Sequence, residues 1–184
     1  MRYPKEVVLK NKKEAIIRPL EKEDQSMLSA FYTAIPEKDR WYIRYDVTDP
    51  TVIKSWVAAI DRGTVYSIVA LAQDKVVAHA SLHLREFGST QHVGRLRIMV
   101  LPEYRHQRLG TWMLLDLIQL AMDKGLHDLR ADFVVGVEDA AIEAAYKLDF
   151  FKSAVLKEYV KSPRGTRYDL QIMVKRLHRS YGDF

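Results

Sequence analysis

Residues 66–135 change from a strand-like to a helix-like hydrophobic pattern and back, and this change limits the possible folds more than any other feature. Three β-rich runs, at 66–73, 76–84 and 93–100, precede a long apolar helix pattern at 109–124 and a fourth strand-like run at 129–135. The two-residue link between the first two runs suits an antiparallel hairpin. A strand, a helix and a further strand instead favour a parallel crossover. The segment therefore predicts a mixed sheet with a largely buried helix against it.

The segments on either side supply further elements of the same two kinds. Asp49 and Pro50 suit the N-cap and first position of a helix, and Gly63 suits its end. We expect strands at 15–20, 154–160 and 168–174 and helices at 27–35, 50–60 and 139–148. The predicted order is β-α-α-β-β-β-α-β-α-β-β. No repeat or Gly/Ser linker interrupts it, so residues 1–184 are predicted to form a single α/β (α+β) domain.

The composition excludes several classes of site. Lysine plus arginine number 29 against 24 acidic residues, a net charge of +5 that suits an anionic ligand but is scattered rather than gathered into one basic stripe. The absence of cysteine excludes disulfides and cysteine metal sites. No run approaches the roughly 18 apolar residues of a membrane span, and the first residues lack a signal-type core. We therefore expect a cytoplasmic protein without a membrane, metal or nucleic-acid partner.

The turn between the third strand of the central segment and its long helix is the most informative local feature. Pro102 ends the strand, and Arg105 and Arg108 lie in a turn that opens directly into the helix at Leu109. The first N–H groups of a helix have no intrahelical acceptor, and the helix dipole adds partial positive charge there. The junction therefore predicts an anion site that suits a pyrophosphate.

This junction resembles the coenzyme A loop of the GCN5-related N-acetyltransferase (GNAT) family, which reads V-x-P-x-Y-R followed by Arg/Gln-x-x-Gly-x-Gly/Ala. The matching residues are Val100, Pro102, Tyr104, Arg105 and Gly110. A second match is the Ala-rich helix from 141 to 150, in which Tyr146 stands at the tyrosine of the family. The resemblance runs from about residue 17 to residue 169 and implies the GNAT-type fold, a central, mostly antiparallel mixed sheet flanked by helices.

The resemblance implies that acetyl-CoA is the acyl donor and that no metal takes part. The residues that it implies for coenzyme A binding are Ile98, Met99, Val100, Arg105, His106, Gln107, Arg108, Leu109, Gly110, Thr111 and Asp139. Arg108 and Asp139 depart from the pattern, since the family has glycine at the first position and often asparagine at the second. Glycine eases a close backbone approach to phosphate, so Arg108 must tolerate a less favourable backbone while it adds a cation.

The resemblance further implies direct attack of an amine on the thioester. The oxyanion would lie against a backbone N–H near Met99 and Val100, where a fixed donor acts without reorganisation. Tyr146 would protonate the departing thiolate, because a phenol keeps its proton at neutral pH. These roles predict an N-acetyltransferase that acts on an amine of a small molecule or a protein, with a homodimer expected by analogy alone.

The base that deprotonates the amine is left open. Where many family members carry Glu on the third strand, this chain has Arg95 and Arg97, and His83, Glu86 or a relayed water are the candidates. The two arginines either favour an anionic acceptor or lie on a solvated sheet face. The aromatic residues Trp41, Tyr42 and Tyr45 either line the acceptor pocket or pack in the core.

Two other functions are weighed against this one. The first is a non-catalytic module of the same fold that binds acyl-CoA as a regulatory ligand, which the missing strand carboxylate and Arg108 favour. The second is a small basic nucleic-acid-binding protein, which the scattered charge disfavours.

Overall fold

The computed structural model describes residues 3–177, which form one eight-stranded sheet with helices on both faces. The strands are β1 Lys5–Val8, β2 Glu14–Pro19, β3 Val65–Ala72, β4 Lys75–His83, β5 Val93–Val100, β6 Asp128–Val134, β7 Phe151–Lys161 and β8 Arg167–Arg176. They lie in the order β1-β2-β3-β4-β5-β6-β8-β7. All neighbouring strands are antiparallel except β5 and β6, which are parallel because a helix crosses between them. This sheet confirms the predicted fold class.

The helices begin and end at residues that the sequence marks. They are α1 Gln25–Ala34, α2 Glu37–Arg40, α3 Pro50–Ala58, α4 Leu109–Asp123 and α5 Asp139–Tyr146. Asp49 caps α3 as predicted, since its Oδ1 accepts the Thr51 N–H at 2.8 Å. Gly125 follows α4 with a φ of 79°, which glycine adopts without the steric cost that a side chain would bring. None of the helices within residues 3–177 has the length and apolarity needed to cross a bilayer.

Helices pack on the two faces of the central strands. On one face, the Tyr32 hydroxyl of α1 lies 2.7 Å from His79 Nδ1 of β4, and Trp56 of α3 stacks on the same imidazole. On the other face, α4 lies so close to β5 that a Cβ on Gly110 would be 3.4 Å from the Cδ1 of Ile98. The start of α4 is therefore pressed against the end of β5, where the anion site was predicted.

Three details of the predicted organisation are wrong. Strand β1 and the short helix α2 were not predicted, because four residues are too few to establish a hydrophobic period. Helix α4 was expected to be largely buried because it is apolar nearly all round, yet Trp112 and Leu115 are 41% and 42% exposed. Their face of the helix points away from the sheet, a direction that an all-apolar pattern cannot reveal.

Candidate active site

The parallel strands β5 and β6 separate after a short paired stretch. Residues 93–95 pair with residues 128–130, and no pairing between the two strands follows in the described chain. Strand β5 stays with β4 as far as Val100, while β6 stays with β8 as far as Val134. A cleft therefore opens between residues 96–100 and 131–134, and we call it the β5/β6 cleft.

The register decides which backbone groups face the β5/β6 cleft. The Leu101 N–H donates to the Val77 carbonyl at 3.0 Å, and antiparallel hydrogen bonds alternate along a ladder. The backbone N–H and C=O groups of Met99 therefore hydrogen-bond to those of His79, whereas the N–H groups of Ile98 and Val100 point towards β6. Of the two residues predicted to offer an oxyanion donor, the structure turns Val100 towards the cleft and Met99 away from it.

The loop between β5 and α4 presents a row of N–H groups. His106 and Arg108 have φ angles of 59° and 69°, and such left-handed residues in a turn orient successive amides into a concave anion-binding surface. Within residues 3–177, the first amide after Arg105 that finds an acceptor is that of Trp112, which donates to the Arg108 carbonyl at 3.1 Å. The amides of 106–111 thus have no acceptor in this part of the chain, and no carboxylate caps them.

The two arginines of this loop differ in what they contact. Arg105 turns inward, where its Nε donates to the Val100 carbonyl at 3.0 Å and its Nη1 lies 2.9 Å from Asp39 Oδ2. Its charge was expected to serve the anion site directly, but it is shared with Asp39. Arg108 is exposed and forms no ion pair with residues 3–177. Gln107 accepts the Asn11 N–H at 3.0 Å and so ties the loop to the β1–β2 turn.

A partly buried carboxyl group lies at the β6 end of the β5/β6 cleft. Glu138 Oε2 accepts the Val134 N–H at 2.7 Å, and this N–H faces the cleft because the next one, of Val135, donates to β8. Burial raises the pKa of Glu138 to about 7, and the Asp132 carboxylate adds to the rise while the Val134 N–H opposes it. Tyr42 lies nearby. Burial is the largest cause of the raised pKa of its phenol, and the charge of the Glu138 carboxylate is the second. Sequence reasoning missed Glu138, because nothing in the pattern reveals that this position is buried.

Helix α5 carries the two remaining predicted residues. Tyr146 is its last residue and is 48% exposed, and its hydroxyl has no hydrogen-bond partner within residues 3–177. Asp139 is its first residue, and its Oδ1 accepts the Gly136 N–H at 2.7 Å. The Asp139 carboxylate therefore closes the turn between β6 and α5.

The two predicted bases, His83 on β4 and Glu86 after it, lie in positions that do not favour removal of a proton from the amine. Burial, together with the charges of Arg97 and Arg95, lowers the pKa of His83 to about 4, so the imidazole is neutral at pH 7 but only weakly basic. Its Nε2 lies 2.9 Å from the Ser81 hydroxyl. Glu86 is exposed in the loop after β4.

The aromatic residues before α3 lie on the face of the sheet that α1 and α3 cover. Tyr45 is in edge contact with Trp56 at 5.8 Å between ring centroids, and Trp41 packs at 5.5 Å on Tyr168 of β8. A surface groove of about 290 Å³ is lined by Glu37, Arg40, Trp41, Ile43, Arg44, Tyr45, Asp46, Val47 and Pro163. The aromatic segment therefore both packs on the domain and borders an open groove.

Comparisons with known proteins agree with this arrangement. A model of the acetyltransferase (GNAT) family matches residues 26–150. Curated protein sequences give no match. The chain is similar to the ribosomal-protein-alanine N-acetyltransferase from Brucella melitensis, with a TM-score of 0.76 and 25% identity over 88% of this chain and 99% of that one. It is also similar in fold to an N-acetyltransferase from Staphylococcus aureus, with a TM-score of 0.78 and 22% identity over 89% and 99% of the two chains. The structure of yncA from Salmonella typhimurium with its cofactor acetyl-CoA has a TM-score of 0.77 and 21% identity over 92% and 98%.

Proposed function

The chain belongs to the GNAT acetyltransferase family, and from this premise we propose that it transfers an acetyl group from acetyl-CoA to an amine. The observation that carries the proposal is the row of amides at 106–111, which have no acceptor within residues 3–177, beside the open end of the β5/β6 cleft. A diphosphate suits those amides and the positive end of α4, and an extended pantetheine arm suits a cleft edged by unpaired strand backbone.

In this proposal, donor binding uses backbone groups more than side chains. Residues 106–111 bind the diphosphate through their N–H groups, and Arg108 adds one exposed cation beside them. Ile98 and Val100 offer their N–H groups to the pantetheine arm and to the thioester oxygen. Arg105 acts indirectly, because its bond to the Val100 carbonyl and its ion pair with Asp39 hold the end of β5 in place.

Transfer then requires one oxyanion donor and one acid. When the amine nitrogen attacks the thioester carbon, negative charge develops on the carbonyl oxygen, and the Val100 N–H is fixed in position to stabilise it. The C–S bond breaks as the amide forms, and the thiolate takes a proton from the Tyr146 hydroxyl. Tyr146 can play this part because its hydroxyl has no partner among the described residues.

We assign the removal of the amine proton to Glu138. Its carboxyl group lies at the cleft on the Val134 N–H, and one oxygen remains available after that bond. A base is most effective when its pKa is near the working pH, and a value of about 7 meets that condition. His83 is the weaker candidate, because burial and then the charges of Arg97 and Arg95 lower its pKa to about 4.

The experiment has two stages. Thermal shift with coenzyme A and acetyl-CoA measures donor binding, and release of free thiol over a panel of amines measures turnover. Tyr146→Phe should lower kcat at least tenfold while donor affinity stays within about twofold. Tyr159→Phe, at a 68% exposed position on β7, is the matched control and should behave as the wild type.

The results also separate this proposal from its alternative. Donor stabilisation without thiol release from any amine would favour the non-catalytic acyl-CoA-binding module instead. Equal turnover by Tyr146→Phe and the wild type would remove Tyr146 from the mechanism.

A further inference from the structure

Arg97 lies on the side of β5 that faces α1 and α3. Its guanidinium carbon is 5.6 Å from the centroid of the Tyr45 ring, and that of Arg44 is 5.8 Å from the same ring. Arg97 is partly buried, and burial followed by the charge of Arg95 lowers its pKa. No carboxylate of residues 3–177 pairs with it, whereas its neighbours Arg95 and Arg130 share Asp132.

A guanidinium in this position is electrostatically unfavourable without a counter-charge. Partial burial removes water from the cation, and nearby arginines repel it. The aromatic ring of Tyr45 offsets only part of this cost. The Asp132 carboxylate, which pairs with the neighbouring Arg95, is bound by Arg95 and Arg130. A negative charge from outside the chain would therefore be strongly favoured at Arg97.

The position of Arg97 separates this charge from the donor loop. Successive side chains of a strand point to opposite faces, so Arg97 lies on the face of His79 and Tyr32, whereas Ile98 and Val100 lie under α4. The Cα atoms of Arg97 and Val100 are roughly 10 Å apart along the strand, at about 3.3 Å per residue. An anion at Arg97 is thus near the reacting end of the β5/β6 cleft but outside the amides at 106–111.

We propose that Arg97, beside Tyr45 and Arg44, binds a carboxylate of the acceptor substrate, so that the acceptor is an amine with a carboxylate several bonds away. This inference rests on the proposed function. An ω-amino acid meets the requirement, and so does a peptide with an acidic residue next to its reactive amine. Both present the same chemistry to Arg97, and the experiment separates them.

The test compares acceptors that differ only in this charge. 6-Aminohexanoate is compared with pentylamine, and a lysine peptide with a neighbouring glutamate is compared with the same peptide carrying glutamine. The wild type should favour the carboxylate in at least one pair by about tenfold in kcat/KM, mostly through KM, because charge-assisted bonds to arginine are among the stronger polar contacts. The pair that shows the preference identifies the source of the carboxylate.

Arg97→Gln keeps a polar side chain and removes the charge. It should abolish the preference, so that kcat/KM for the carboxylate acceptor falls about tenfold, to the level of the uncharged acceptor. Arg62→Gln, at an exposed position that follows α3 and forms no ion pair with residues 3–177, is the matched control for the lost charge and should keep the preference. The melting temperature of each variant shows that the fold is retained.

A binding measurement keeps this inference separate from the proposed function. Calorimetric titration of 6-acetamidohexanoate and of N-pentylacetamide into the protein saturated with coenzyme A compares a charged and an uncharged product without turnover. Tighter binding of the charged product, lost in Arg97→Gln, supports the carboxylate site even if no amine tested is acetylated. Equal turnover of both acceptor pairs by an active wild type, or equal binding of the two products by a protein that acetylates none of these acceptors, overturns it.

Discussion

Arg108 occupies a backbone conformation that is typical of glycine. Two substitutions of Arg108 distinguish the effect of backbone strain on stability from the effect of the side-chain charge on ligand binding. Its φ and ψ are 69° and 0°. The left-handed region costs a residue with a side chain about 1–2 kcal/mol, while glycine loses about 0.5–1 kcal/mol more entropy on folding. Arg108→Gly should therefore raise the free energy of unfolding of the ligand-free protein by about 0.5–1 kcal/mol. In a domain of this size, that change corresponds to a rise in Tm of about 1–4 °C.

Arg108→Gln provides the second half of the comparison. It removes the charge but keeps a side chain in the left-handed region, so its Tm should stay within about 1 °C of the wild type. Both variants lose an exposed cation beside the proposed diphosphate site, and such a pair contributes about 0.5–1 kcal/mol. The Kd for coenzyme A should rise about two- to fivefold in each, and the difference should shrink at high salt.

Thermal melts without ligand and calorimetric titration with coenzyme A measure the two effects independently. A fall in Tm for Arg108→Gly, or an equal rise for Arg108→Gln, would show that the backbone at 108 is not strained. An unchanged Kd at low salt in both variants would show that the Arg108 side chain does not contact the donor.

Three further predictions concern the sheet and two carboxyl groups. Gly94→Ala places a Cβ 2.7 Å from the Cδ1 atoms of Leu126 and Leu82, so overpacking should destabilise the protein by about 2 kcal/mol and lower its Tm by about 4–8 °C; an unchanged melt would contradict this. The pKa of Glu138 is raised from 4.5 to about 7, so the wild type should lose about 3 kcal/mol of stability between pH 4.5 and pH 8, and denaturation of Glu138→Gln should show a flatter profile. The pKa of Asp24 is lowered, mainly by its hydrogen bonds from Arg18, so Asp24→Asn should be about 2 kcal/mol less stable at pH 7 and approach the wild type below about pH 4 in urea melts.

The order of elements was predictable because the hydrophobic period of each segment agrees with the capping and turn residues at its ends. Asp49 and Pro50 fix the start of α3, and Val93–Val100 matches β5 at both ends. The turn at Gln73 and Asp74 formed without glycine, since both residues adopt positive φ at 50° and 58°. Strand β1 was not predicted, because its four residues form a strand only through their pairing with β2.

The chemistry of the site was harder to predict than its location. The loop at 106–111 follows from sequence, because a strand, a basic turn and a helix must present free amides there. The inward turn of Arg105 depends on Asp39, a residue 66 positions earlier in the chain that no local pattern connects to it. The raised pKa of Glu138 depends mainly on its burial, which is again a property of the fold. Sequence therefore predicts where the candidate site lies but cannot decide which of its charges are left without a counter-charge.

Strand β5 contributes to both proposed substrate sites, because successive residues along a strand point in alternating directions. The backbone N–H groups of its even-numbered residues point into the β5/β6 cleft, where those of Ile98 and Val100 would hold the donor. The side chains of Arg95 and Arg97 point to the face of the sheet that α1 and α3 cover. The missing strand carboxylate then has a physical consequence: an acid beside Arg97 would neutralise the charge that we assign to acceptor binding. On this arrangement the base has to come from another element, and we assign that part to Glu138, a partly buried residue that follows β6 and accepts the Val134 N–H facing the same cleft.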